Sequence, residues 1–158
     1  MTEKDWITML IPIFCNGIIV FVFSKLLEAN KTKRQTAETK YKKLIMEMKS
    51  IVEEIFPFFY NDDKREMLQL ISNKMDVLIS FFRKNKVRLT QYDQIVGTLQ
   101  DTWDSLVAIL HYSQEHEGGI ISKNSSMKIA PLVGKLYDEL FALASQYNKD
   151  LYERGMYS

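Results

Sequence analysis

The hydrophobic pattern of this chain changes character once. Residues 6–27 read WITMLIPIFCNGIIVFVFSKLL, apolar on every side of a helix, with no charge from Ile7 to Phe23. Beyond them, apolar residues recur at steps of three and four with polar residues between, the period of an amphipathic helix. A helix rises about 1.5 Å per residue, so roughly 20 apolar residues cross a hydrocarbon core about 30 Å thick. The first segment is therefore expected to be a single membrane-spanning helix. A cleaved leader is a poorer reading, because the start carries Lys4 against Glu3 and Asp5 and no A-x-A site follows. Pro12, Ile13 and Phe14 lack the small residues that precede a lipidated cysteine, so Cys15 reads as an apolar filler.

Four stripes follow. Ala37, Tyr41, Leu44, Met48, Ile51 and Ile55 form a heptad-like one that Pro57 should stop and that offers a coiled-coil seam to the same helix of a second copy. Asn61 is the expected N-cap of the next helix, with Met67, Leu68, Ile71, Met75, Leu78 and Phe82 on its apolar face. Thr90 opens a capping-box-like start, followed by Tyr92, Val96, Leu99, Trp103, Leu106 and Leu110, with Gly97 marking a close helix contact. A loop over residues 114–126 leads to a last helix from about Ala130, with Pro131 in its first turn and Leu132, Val133, Leu136, Leu140, Leu143, Tyr147 and Leu151 inward. Gly155 should close it. The expected fold is all-α: an anchor over residues 1–29, a charged neck over 30–35, and an antiparallel four-helix bundle over 36–158. Neither Gly nor Pro occurs between Ile18 and Phe56, so one long helix could link membrane and bundle.

Charge orients this plan. Lys31, Lys33, Arg34 and Lys40 follow the apolar run, which places the N-terminus outside and the bundle in the cytoplasm. The same four are candidate contacts for anionic lipid. Over all 158 residues, 21 Lys and Arg face 20 Asp and Glu, a balance that argues against a nucleic-acid partner. One cysteine excludes an internal disulfide.

Chemistry is sparse. His111 and His116 are five residues apart, about 500° around a helix, and do not share a face. No H-E-x-x-H, C-x-x-C, phosphate-loop or G-x-S-x-G pattern occurs, so no catalytic residue, metal or cofactor is expected and no small-molecule substrate is evident. Two other features remain. Asn16, beside Gly17, puts an amide inside the apolar run, where it can bond to another membrane helix. Phe56, Phe58, Phe59 and Tyr60 cluster around Pro57 as either a plug of the bundle end or a docking patch for a protein partner. The leading expectation is a membrane-anchored, non-catalytic scaffold, adaptor or regulator that binds lipid and a protein partner or itself as a homo-oligomer. A bacterial or phage process such as exclusion, immunity or secretion would suit its composition. The alternatives are an oligomeric pore- or lesion-forming protein and an enzyme of unrecognised type.

Overall fold

The computed structural model describes the backbone of residues 3–116 and 121–155, and side chains from residue 21 onward within those limits. Every regular element among them is helical. The helices are α1 (Glu3–Ile55), α2 (Lys64–Asn85), α3 (Asp93–His116) and α4 (Lys123–Glu153), with short 3-10 turns at Phe56–Tyr60, Lys86–Arg88 and Thr90–Tyr92. The chain divides into two compact units, Met1–Tyr41 and Lys42–Ser158.

In the first unit, residues 21–40 are exposed all round the helix. Among the described residues no helix is long and apolar enough to cross a membrane. The run expected to do so lies for most of its length, residues 6–20, outside the described side chains.

The second unit owns the hydrophobic core. Asp63 caps α2 by accepting from the backbone N–H of Arg65 at 2.9 Å and of Glu66 at 3.2 Å. The cap is thus two residues later than expected, and Asn61 instead accepts from the Asp63 N–H at 3.0 Å. No side-chain bond from Thr90 caps α3; the 3-10 turn Thr90–Tyr92 leads straight into it. Ser122 caps α4 through the Ser125 N–H at 3.2 Å, so α4 begins well before Pro131. Pro131 therefore lies inside the helix, on its exposed face, where water can serve the carbonyl that loses its partner. Gly155 ends α4 at φ +61°, a left-handed conformation that only glycine adopts without strain.

Cross-links give the topology. Glu54 pairs with Lys74, and a short link reverses the chain between them, so residues 42–55 and α2 run antiparallel. Tyr92 reaches Asp150 and Thr102 reaches Glu139, so residues advancing along α3 meet residues receding along α4. Grooves between α2 and α3 pair Arg65 with Gln114 and Lys86 with Asp93, again antiparallel. The second unit is thus an antiparallel bundle of four helical segments. Its core holds Leu44, Ile45, Met48, Val52 and Ile55 of α1, all six expected stripe residues of α2 plus Phe81, and Tyr92, Leu99, Trp103, Leu106, Leu136, Leu140, Leu143, Tyr147 and Leu151.

Three expectations are corrected here. The inward face of α1 takes Ile45 and Val52, while Ala37 is exposed and Ile51 only half-buried. A seam running from Ala37 to Ile55 is therefore not presented to a second copy, since Leu44, Met48 and Ile55 are spent in the chain's own core. Gly97 marks no close approach: a Cβ added there meets nothing within 4 Å.

Candidate functional site

The basic neck is built on bare helix. At about 100° per residue, Lys33 and Lys40 fall on one side, and Lys31 and Arg34 are turned away from them. The four charges form a collar rather than a stripe, which suits a surface met from every side, such as a headgroup layer, better than one partner helix. All four are exposed. Hydroxyls between them are satisfied locally: Thr32, Thr36 and Thr39 donate to the carbonyls of Glu28, Thr32 and Gln35 at 2.9, 2.8 and 2.8 Å. Above the collar, Phe21, Phe23, Leu26 and Leu27 are between 56% and 67% exposed, and nothing in the described chain covers them. Lys25 binds Glu28 at 3.2 Å and lies 5.9 Å from the centre of the Phe21 ring. Asn16 and Gly17 lie on α1, but their side chains fall outside the described residues.

The aromatic linker is half embedded. The Phe56 and Phe59 rings each lie nearly perpendicular to that of Tyr137 in α4, ring centres 5.5 and 5.2 Å away. Phe58 is half-buried, and its carbonyl accepts from the Asn61 N–H at 3.1 Å. Tyr60 is 76% exposed. It shares a hydrogen bond with Tyr137, which comes first among the causes that push the Tyr137 hydroxyl above its ordinary ionisation range; partial burial and Asp138 add to it. The linker thus combines anchored rings with an open edge at Tyr60. Tyr137 was not legible as part of this cluster. It lies one residue past the inward Leu136, where a periodic reading assigns the helix flank.

The second group that sequence reasoning missed is Asp150. Its Oδ2 accepts from Gln91 Nε2 at 2.9 Å and from the Tyr92 hydroxyl at 3.2 Å, and its Oδ1 from Arg154 Nε at 2.7 Å. Two of these three donors come from the turn that leads into α3, so the carboxylate fastens that turn to the end of α4. Its signal was a charge three residues beyond Tyr147 on an otherwise apolar face. Thr102 donates to Glu139 at 2.9 Å further down the same seam, where Glu139 Oε2 is buried with no partner among the described residues. These are isolated groups: no three His, Cys, Asp or Glu among the described residues could hold a metal ion. His111 faces Glu115 at 3.4 Å, while His116 stacks on Tyr112 with ring centres 4.5 Å apart. The two histidines do not converge.

Concavities are open grooves between helices. One of about 330 Å³ is lined by Arg65, Gln69, Ser72 and Gln114 among others, and one of about 350 Å³ by Phe82, Arg83, Lys86 and Gly97 among others. Neither gathers a nucleophile with a base. No protein-family model, curated protein or solved structure matches this chain.

Proposed function

We propose that the chain is a membrane-anchored, non-catalytic helical interaction protein, its N-terminus outside and its bundle on the cytoplasmic side. One observation carries the reading. Phe21, Val22, Phe23, Leu26 and Leu27 extend the uncharged run past Lys25 and stand open to the surroundings, shortly before a collar of four basic residues. Exposed apolar side chains in that number call for a cover, and hydrocarbon followed by anionic headgroups matches their order. The bundle then serves as a scaffold, adaptor or regulator. The open edge at Tyr60, backed by Phe58 and Phe59, is the surface we assign to a protein partner.

Alkaline carbonate extraction of native membranes tests the anchor. The intact chain is expected to stay in the pellet, and its bundle to be digested only when protease reaches the cytoplasmic face. Release into the supernatant overturns the proposal. Asn16 supports a second reading, in which copies associate through the amide and permeabilise the bilayer. Dye leakage from vesicles holding the full chain, abolished by Asn16→Leu, would favour it over the scaffold.

A further inference from the structure

The fold sorts charge that the sequence distributes almost evenly. Following the antiparallel pairing outward from Glu54 and Lys74, ten residues of helix on either side bring Leu44 and Lys84 to one level. The 3-10 turns between α2 and α3, the Lys42 entry into the unit and the end of α4 near Asp150 therefore share one end of the bundle. That end carries Lys42, Lys43, Arg83, Lys84, Lys86 and Arg88. Its acids are fewer: Asp150 is engaged by Arg154 at 2.7 Å and Glu153 by Lys149 at 3.8 Å, leaving Asp93 and, one turn past Lys43, Glu47. None of Arg83, Lys84, Lys86 and Arg88 pairs with a carboxylate among the described residues. The opposite end is mixed, with Asp62, Asp63, Glu66 and Glu115 beside Lys64, Arg65 and Lys123.

The helix dipole accounts for Arg83 and Lys84 in the last turn of α2, but its influence fades within that turn and Lys86 and Arg88 lie past it. A second observation points the same way. Val87, between those two, is 90% exposed, whereas Leu89, two residues on, is wholly buried. The Leu89 N–H is held by the carbonyls of Asn85 and Lys86 at 3.1 and 3.2 Å, so the turn is fixed with Val87 outward. Tyr152, near the end of α4, is 77% exposed at the same end. Basic residues around projecting apolar and aromatic tips are the composition of a surface that sits at a headgroup layer.

We propose that this end of the bundle docks on anionic lipid, with Arg83, Lys84, Lys86 and Arg88 meeting the headgroup phosphates and Val87 entering the interface between them. The inference rests on the anchored reading, because an anchor supplies the high local lipid concentration that makes four exposed cations sufficient. Each is expected to shift the docking equilibrium roughly fivefold.

The test uses the full chain with Cys15→Ala and a polarity-sensitive fluorophore at Val87→Cys, reconstituted in phosphatidylcholine discs or in discs containing phosphatidylglycerol. A second label at Met127→Cys, exposed at the opposite end, is the comparison. Carbonate extraction of the same samples reports the anchor separately. The Val87 label is expected to shift to the blue only in anionic discs, the Met127 label to stay unchanged, and the shift to vanish at high salt, where the screening length falls to about 3 Å at 1 M. Replacing all four basic residues by Gln should abolish it while leaving the thermal transition of the bundle in place. A carbonate-resistant chain whose Val87 label ignores lipid charge, or keeps its shift after the four replacements, overturns the docking surface and leaves the anchor standing. A chain that washes off yet shifts in anionic discs keeps the surface and loses the anchor. An equal shift on adding single-stranded DNA to neutral discs would make this a nucleic-acid surface and end the lipid assignment.

Discussion

Replacing Asp150 by Ala should cost the bundle about 3 kcal/mol. The Tyr92 hydroxyl is wholly buried and loses its charged acceptor, and hydrogen bonds to charged groups contribute about 1.5–3 kcal/mol each. Gln91 is exposed, so its 2.9 Å bond adds less. The Arg154 contact is a half-exposed i,i+4 pair and adds roughly 0.3–0.5 kcal/mol. For a unit of this size, about 3 kcal/mol lowers the melting temperature by roughly 9–18 °C. Asp150→Asn, which keeps an acceptor, should lose less than half of that. The assay is thermal and urea unfolding of the full chain in detergent, followed by helical circular dichroism, in a double-mutant cycle with Tyr92→Phe. Residues in contact should couple by more than about 0.5 kcal/mol. Additive losses, or an Asp150→Ala variant melting within about 2 °C of the parent, would show that the carboxylate does not fasten the two helices.

Three further outcomes follow from the same structure. Leu106 and Leu140 are wholly buried, so Leu106→Asp or Leu140→Asp should abolish the cooperative transition of the bundle; a retained transition would displace them from the core. Gly97 and Gly134 sit within helices with nothing within 4 Å of an added Cβ, so Gly97→Ala and Gly134→Ala should each stabilise by about 0.5–1 kcal/mol in urea unfolding. The hydrogen bond and charge of Lys74 hold the Glu54 carboxyl below its ordinary value of 4.5. A depressed folded-state value stabilises fully above 4.5 and is lost as pH falls through it, so Glu54→Gln should weaken the bundle at neutral pH and flatten its acid loss below about 4.5. An unchanged acid limb in a pH series of melts would contradict that.

The second stripe of the bundle was legible because burial there obeys one period, and the third in part, since Tyr92, Leu99, Trp103 and Leu106 are buried while Val96 and Leu110 are half-buried. Met67, Leu68, Ile71, Met75, Leu78 and Phe82 all lie in the core, as spacing alone demands. The first stripe was half right: Leu44, Met48 and Ile55 are buried as expected, but Ile45 and Val52 were missed and Ala37 extended it upstream, where the helix is bare and periodicity records no packing. Helix starts shifted for a local reason. Asn61, Asp62 and Asp63 all offer a capping oxygen, and only geometry selects Asp63; Ser122 likewise starts α4 ahead of the proline that seemed to mark its first turn. Tyr137 and Asp150 were invisible because the partners that reveal them, the linker aromatics for one and Gln91 and Tyr92 for the other, lie 58 or more residues away across helix pairs whose register no local pattern states.

The same blindness applies to electrostatics. A net charge of +1 sums over both ends of the bundle and describes neither. Lys42 and Arg88 are 46 positions apart in sequence, and only the reversal between α1 and α2 brings their ends together. Coulomb forces decay with distance in space and are screened beyond about 8 Å in physiological salt, so what a partner feels is the local cluster and not the total. A neutral chain can thus present a cationic end wherever its topology folds basic segments to one side. A composition that argues against one polyanion, nucleic acid, therefore leaves open another that meets the protein only at that end. Moving the charges tests the principle: Gln114→Lys and Asn124→Lys at the opposite end, combined with Arg83→Gln and Lys84→Gln, keep the net charge of +1 and relocate the basic cluster. If end-specific charge governs lipid contact, the response should leave the Val87 label and pass to Met127; if total charge governs it, neither label should change.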